Sequence, residues 1–80
     1  MNPRIVSVEY KSPYILMLGF SDNKTKQFDL SPYLKYPVYQ PLQDEDLCSK
    51  ARVEYDTVVW NDNLDFDPDT LYLESKLIDN

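Results

Sequence analysis

The sequence predicts a single small α+β domain, with a mainly antiparallel sheet of four or five strands and short helices on one side. Residues 4–10 alternate between apolar and polar side chains, and residues 14–20 form an almost continuous apolar run of strand length. Residues 25–30 then return as a strand, which makes residues 14–30 a predicted β-hairpin. The 80 residues are 42% hydrophobic and 14% aromatic, which favours a folded chain despite the net charge of −6.

The first three strands are separated by residues that favour turns. Residues 12–13 are a serine followed by a proline and end the first strand. The run 14–20 is the predicted central strand, and Gly19 within it marks a bulge or a close approach of another backbone. At the hairpin turn over 21–24, Asn23 tolerates the left-handed backbone conformation that most residues avoid.

The middle of the chain is predicted to form short helical segments. Residues 31–32, Ser-Pro, are typical of a helix start, and Pro37 and Pro41 keep any such helix short. A second short helix is predicted over residues 44–50, with Asp44 as its N-cap.

The last third is predicted to contain one strand and one helix. Residues 51–60 are read as a strand, and Asn63 turns the chain after it. Asp67 is the predicted N-cap and Pro68 the first residue of a helix of one to two turns. The tail from Ser75 is expected to be frayed.

Trp60 is the only tryptophan of the chain. We predict that it is buried against the sheet, near Leu71 or Tyr72 of the last helix, and that it clamps this helix onto the strands. Like Trp60, the residues Asn63, Asp67 and Pro68 are predicted to have a structural role.

Composition excludes several activities. The chain has no histidine and one cysteine, which excludes an internal disulfide, a Ser/His/Asp or Cys/His catalytic site and a histidine-ligated metal. We therefore expect a non-enzyme without a cofactor. The N-terminus has no signal-peptide run and no stretch is long enough to span a membrane, so a cytoplasmic protein without membrane contact is expected.

The charge is divided unevenly along the chain. Residues 1–43 carry five bases and three acids, whereas residues 44–80 carry three bases and eleven acids, a net charge of −8. The acidic part disfavours contact with phosphate backbones and favours a basic partner surface. A modest basic patch is formed by Arg4, Lys11, Lys24 and Lys26. The simplest interpretation is that these are solvated strand positions that protect a sheet edge.

Three tyrosines are candidates for a partner-binding surface. Tyr33, Tyr36 and Tyr39 are spaced by three residues between prolines, which lower the entropic cost of presenting aromatic rings. The alternative is that the rings fill the core beneath the sheet, and this is favoured for two of the three.

Three aspartates have the opening spacing of a calcium loop. Asp65, Asp67 and Asp69 alternate, but the sixth position is Thr70 instead of glycine and the twelfth is Lys76 instead of glutamate. Helix capping by Asp67, with Asp69 facing the helix dipole, is the simpler interpretation. Divalent-metal binding by this loop is kept as the alternative function.

Three segments of the sequence resemble one bacterial family. Residues 18–30 follow its hairpin pattern L-x-F-x-D-G…D-L, and residues 39–42 contain its aromatic-x-Pro-Leu step. Residues 60–72 follow its closing pattern W-P-N-G-x-D-x-x-P-x-x-L-Y, which is the most specific of the three. The chain is identified as a member of the family catalogued as domain of unknown function 2442. It departs from the pattern at Asn23 and Asn63, which replace glycines, and at Asn61, which replaces a proline.

The resemblance implies a small bacterial protein without an established enzymatic role. Many relatives are encoded beside a member of a second family, domain of unknown function 4160, which implies a toxin–antitoxin-like gene pair in which this chain is the antitoxin-like member and that neighbour is its protein partner. Some relatives carry a C-terminal helix-turn-helix, and this chain is expected to stop before it, so no direct nucleic-acid binding is expected.

The predicted function is therefore that of a protein–protein interaction module. One sheet edge must stay open in so short a chain, and the charged strand 4–10 or 51–60 is the predicted edge. We expect a monomer or a weak dimer that contacts its partner at such an edge or through residues 33–42.

Overall fold

A computed structural model of the chain describes residues 2–61 and 64–78. The described part contains two antiparallel sheets, one with four strands and one with three. The strands are β1 (Ile5–Lys11), β2 (Ile15–Phe20), β3 (Thr25–Asp29), β4 (Arg52–Glu54), β5 (Thr57–Asn61), β6 (Leu64–Asp65) and β7 (Lys76–Leu77). The helical segments are two 3₁₀ helices, Ser31–Tyr33 and Pro37–Gln43, and two short α-helices, α1 (Glu45–Cys48) and α2 (Pro68–Glu74).

The four-stranded sheet has the order β1-β2-β3-β7, which confirms β2 as a central strand and β1 as an edge. Gly19 of β2 lies against β1, where a Cβ atom would stand 2.3 Å from Ser7 Oγ. The atom that approaches this glycine belongs to a side chain and not to the predicted backbone, and the irregularity of the pairing is a register shift in β1 between Ile5 and Ser7, opposite Phe20 and Gly19. At the β2–β3 turn, Asn23 has the predicted left-handed conformation, with φ of 68°.

The predicted fold class is confirmed, but the strands divide into two sheets. The connection over residues 31–50 is helical, and the chain after it starts a new sheet with the order β4-β5-β6. The prediction of one strand over 51–60 is wrong, because Tyr55 and Asp56 form a two-residue turn between β4 and β5. Both residues are left-handed, with φ of 56° and 63°, and neither is the glycine or asparagine that usually indicates such a turn.

The core lies between the inner faces of the two sheets. Leu16 and Leu18 of β2 are fully buried there, and Val58 of β5 is buried from the other side. The helical segments contribute the buried side chains of Leu42, Cys48 and Leu71. One cluster therefore joins both sheets and the connecting segments into a single unit.

The two α-helices begin at the predicted caps. The Asp44 side chain accepts a hydrogen bond from the Asp46 amide, and Asp67 accepts one from the Thr70 amide at 3.0 Å. Pro68 is the first residue of α2. The tail is more ordered than predicted, because β7 pairs with β3. The turn predicted at Asn63 lies outside the described residues.

Among the described residues, no helix is both long and apolar enough to cross a membrane.

Candidate functional surface

Tyr33 and Tyr39 lie on the two 3₁₀ helices, and Tyr36 directly precedes the second of them. The three side chains have different surroundings. Tyr33 stacks on Phe28 with ring centroids 5.3 Å apart, and Tyr39 stacks on Phe66 at 4.7 Å. Tyr36 is 48% exposed. Two of the rings therefore cover the core and the third faces solvent, which is the division that the sequence favours.

Burial fixes the ionisation of the two packed rings. It raises the pKa of Tyr33 and of Tyr39, and the negative charges of Asp65 and Asp67 raise the pKa of Tyr39 further. Both phenols are therefore neutral at physiological pH and act as apolar rings with a polar tip.

Tyr36 and Val38 are the exposed large hydrophobic residues of this segment, and we call them the aromatic ridge. Val38 is 58% exposed, and Tyr36 lies beside the packed ring of Tyr33, with the centroids 6.4 Å apart. The Lys35 ammonium lies 5.4 Å from the Tyr36 ring centroid. The ridge thus presents apolar surface on a base of packed aromatic rings.

A groove of about 350 Å³ lies beside Tyr33. Its lining includes the apolar residues Phe28 and Pro32 and the charged residues Glu74 and Lys76. The groove is open to solvent and combines aromatic surface with charges of both signs, which suits a side chain of a protein partner.

The three aspartates of the calcium-like spacing have separate roles. Asp67 accepts hydrogen bonds from the Thr70 side chain and amide, which lower the pKa of its carboxyl. Asp69 accepts a hydrogen bond from the Asn2 side chain at 3.1 Å, and Asp65 is exposed on β6. Among the described residues, no group of three or more potential ligands could hold a metal ion. The metal alternative has no support in this part of the chain.

Trp60 is buried, with 2% of its surface exposed, as predicted. Its indole N–H donates to the carbonyl of Cys48 at 3.0 Å, so this polar contact joins β5 to α1. Tyr72 of α2 packs edge-on against Phe20, with the centroids 5.0 Å apart, and Leu71 is fully buried. These hydrophobic contacts hold α2 against the four-stranded sheet.

A polar network ties α1 to the turn between β1 and β2. The hydroxyls of Tyr10 and Ser12 both donate to the Glu45 carboxylate and hold its pKa below the ordinary value. Burial, together with this contact, raises the pKa of Tyr10 to about 12. Cys48 is fully buried, and its burial raises the thiol pKa to about 11, so the thiol is not a reactive thiolate.

Tyr55 is a surface feature that the sequence pattern missed. It is 90% exposed at the tip of the β4–β5 turn, whereas the alternation of residues 51–60 placed it within a strand. Its neighbour Asp56 is also left-handed. The one turn-favouring residue in this stretch is Asp56, which lies between two segments of β-branched and aromatic residues. An aspartate alone is a weak signal of a turn.

The basic patch is divided by the fold. The Lys26 ammonium donates to the Tyr72 carbonyl and lies 4.0 Å from the Tyr72 ring centroid, so it is engaged with α2. Lys11 pairs with Glu9 at 2.9 Å. Arg4 and Lys24 remain exposed at one end of the four-stranded sheet.

The architecture and the surface define a small α+β domain. The family model for the protein of unknown function DUF2442 matches residues 5–76, and the chain belongs to this family. No curated protein matches the chain.

One solved structure is similar over much of the chain. It is the crystal structure of a "Putative DNA Binding Protein" from Nitrosomonas europaea ATCC 19718, with 27% sequence identity and a TM-score of 0.68. The match covers 79% of this chain and 45% of that protein, so this chain spans less than half of the length of its relative.

The name of that relative contradicts the expectation of no direct nucleic-acid binding, and we correct that expectation as wrong. The expectation rested on the helix-turn-helix of some relatives, which this chain was expected to lack, and on the acidic C-terminal half. The net charge of that half is not decisive, because electrostatic attraction is local and exposed bases can act apart from an acidic face. Arg4 and Lys24 are such bases, and they lie in the part of the chain with a net positive charge.

Proposed function

We propose that this chain is a protein–protein interaction module that acts without catalysis. The exposure of Tyr36 and Val38 beside packed aromatic rings carries the proposal. Tyrosine is enriched among the residues that dominate binding energies, and apolar contacts around it exclude water. Because prolines restrict the backbone of the segment, little conformational entropy is lost when a partner covers it.

The specific form that we propose is the antitoxin-like member of a two-gene pair. Family resemblance supports this role, and so does the excess of acids in residues 44–80, which suits a basic partner. The partner would cover the aromatic ridge, while the acidic half would speed the encounter.

Co-purification with the product of the adjacent reading frame tests this proposal. We expect the wild-type chain to retain that protein, and the double variant Tyr36→Ser with Val38→Ser to lose roughly ten-fold or more in affinity. Val6→Ser is the matched control, because Val6 is 57% exposed on β1, outside the ridge. Equal retention by the double variant, or no retention by the wild type, would refute the proposal.

A second candidate function is DNA binding, which the name of the Nitrosomonas relative favours. Backbone hydrogen bonds place Arg4 and Lys24 at the same end of the four-stranded sheet, through Ser21 and Phe20. These two exposed bases are the best placed to contact phosphates.

Fluorescence anisotropy with a labelled DNA duplex tests this second candidate. We expect saturable binding that weakens as salt is added, and that is lost in Arg4→Glu with Lys24→Glu. Lys50→Glu is the control, because this exposed lysine follows α1 at a different site. Equal binding by both variants would exclude the end of the sheet as the contact.

A further inference from the structure

The outer face of the three-stranded sheet carries a second exposed surface, with Tyr55 at its rim. Tyr55 is the most exposed of the large hydrophobic residues in the described part of the chain, at 90%. Its side chain makes no hydrogen bond, ion pair or ring contact with any described residue. The fold therefore gives no reason for an aromatic ring at this position.

The backbone makes the presence of tyrosine here more informative. Two-residue hairpin turns with two left-handed residues strongly favour asparagine and glycine, which adopt this conformation at low cost. A tyrosine with φ of 56° costs free energy that an asparagine would save. A side chain that destabilises its own turn, and makes no hydrogen bond, ion pair or ring contact within the described chain, is best explained by contact with another molecule.

A groove of about 310 Å³ runs beside this ring. It is lined by Val59, which is 6% exposed, by Glu54 on β4 and by Asp65, which pairs with Val59 across β5 and β6. Tyr55 in the β4–β5 turn also lines it. An apolar residue beside two carboxylates and an aromatic ring matches the aliphatic stem and cationic head of a long basic side chain.

The charges of the chain agree with this occupant. From residue 53 to residue 75 the sequence contains no lysine or arginine and seven acids. Arg52, opposite Val59 in the β4–β5 pairing, already places a guanidinium beside Glu54 and donates to the Trp60 carbonyl at 3.0 Å. Glu54 keeps 40% of its side chain exposed in that pair, so it is still accessible to a second cation.

We propose that this groove, with Tyr55 at its rim, binds an arginine- or lysine-bearing segment of a protein partner. The basic side chain lies along Val59, its cationic head meets Asp65 and Glu54, and it contacts the Tyr55 ring through a cation–π interaction. The inference rests on the proposed role as an interaction module, but it uses a surface that shares no residue with the aromatic ridge.

A labelled peptide of alternating arginine and glycine is the probe, and its binding is measured by fluorescence anisotropy at physiological ionic strength. We expect saturable binding to the wild type, and binding weaker by about five- to ten-fold in Tyr55→Asn, the loss typical of a cation–π contact. Tyr55→Phe keeps the ring and should bind within about two-fold of the wild type. Because asparagine suits the turn, Tyr55→Asn should stay folded.

Matched controls separate this site from general attraction between opposite charges. Asp65→Asn should weaken binding, whereas Asp46→Asn, which removes the same charge from the surface of α1, should not. A peptide with glutamine in place of arginine should not bind. Equal affinity of the wild type and Tyr55→Asn, equal losses in the two aspartate variants, or no saturable binding would overturn the proposal.

Two further outcomes identify a different occupant. Concentration-dependent dimers that Tyr55→Asn abolishes would show that a second copy of this chain covers the groove, and would also overturn the proposal. The ridge variant Tyr36→Ser with Val38→Ser should bind the peptide normally. Failure at the groove is therefore distinguishable from failure of the proposed function at the ridge.

Discussion

Two tyrosines of this chain have left-handed backbones, and their surroundings differ completely. Tyr14, with φ of 64°, donates its amide hydrogen to the Tyr10 hydroxyl at 3.0 Å and its own hydroxyl hydrogen to the Gln43 carbonyl. Its carbonyl accepts from the Leu30 amide at 2.9 Å. Tyr55, with φ of 56°, projects its ring into solvent.

The comparison distinguishes backbone strain that other contacts of the fold offset from backbone strain that they do not offset. At Tyr14 the hydrogen bonds and the packing of the ring offset the free-energy cost of the left-handed conformation. The same contacts join β1 and β2 to the helical segment. At Tyr55 nothing in the described chain offsets it. This difference supports an external contact for Tyr55 and predicts opposite effects of substitution in the two turns.

The largest expected effect tests whether the strands of the β4–β5 hairpin, and not its turn at Tyr55 and Asp56, stabilise the fold. Trp60→Ala should lower the free energy of unfolding by about 3–5 kcal/mol, because it removes a buried ring and leaves a cavity. A small domain has roughly 5–15 kcal/mol in total, so a substantial unfolded population is expected. Urea denaturation measures the effect, and an unchanged midpoint would show that the hairpin is not anchored by Trp60.

Tyr14→Asn should lower the free energy of unfolding by about 2 kcal/mol. Asparagine keeps the left-handed backbone but loses the ring packing and the hydrogen bond to Gln43. Tyr14→Phe removes the hydroxyl alone and should cost about 1 kcal/mol. If Tyr14→Asn instead stabilised the chain, as expected at Tyr55, the contrast between the two turns would be wrong.

The double substitution Tyr55→Asn with Asp56→Gly should raise the free energy of unfolding by about 1 kcal/mol. It installs the residues that this turn type favours and removes a ring that contributes no described contact. Thermal unfolding, compared with the wild type at the same pH, measures the gain. Destabilisation would mean that the Tyr55 ring supports the fold and would weaken the inference of a binding role.

The smallest expected effect is the pH dependence of stability that arises from the hydrogen bonds of Tyr10 and Ser12 to Glu45. The pKa of Glu45 lies below its ordinary 4.5, so its contribution to stability is present above that pH and is lost as the pH falls through the lowered value. The pKa of Tyr10 is raised from 10 to about 12, so its contribution is present below pH 10 and is lost as the pH rises towards 12.

Glu45→Gln should therefore flatten the acid side of the stability profile, with little change at the Tyr55 turn. Melting temperatures between pH 3 and pH 6, roughly spanning the ordinary titration of a glutamate, measure this effect. An acid side as steep as that of the wild type would exclude Glu45 as its cause.

Local patterns were sufficient wherever a residue acts on its own neighbours. The central strand β2, the left-handed Asn23, and the caps of α1 and α2 at Asp44 and Asp67 all follow from chemistry within a few residues. The burial of Trp60 was equally predictable, because a tryptophan in an apolar strand has few other stable environments.

The candidate surface could be predicted only in part. The tyrosine spacing over residues 33–39 indicated the segment, but which ring stays exposed depends on where Phe28 and Phe66 lie. Tyr55 was missed because the alternation of residues 51–60 continues through the turn without a glycine or an asparagine.

By itself, the sequence determined the α+β class, the family and the identity of the helix caps, because these depend on periodicity and local hydrogen bonding. Only the tertiary structure decided that the strands form two sheets, that Lys26 is engaged with Tyr72 and that Tyr55 stands free at a turn. These features depend on contacts between residues distant in the chain. In a domain this small, such contacts decide which side chains remain exposed for a partner.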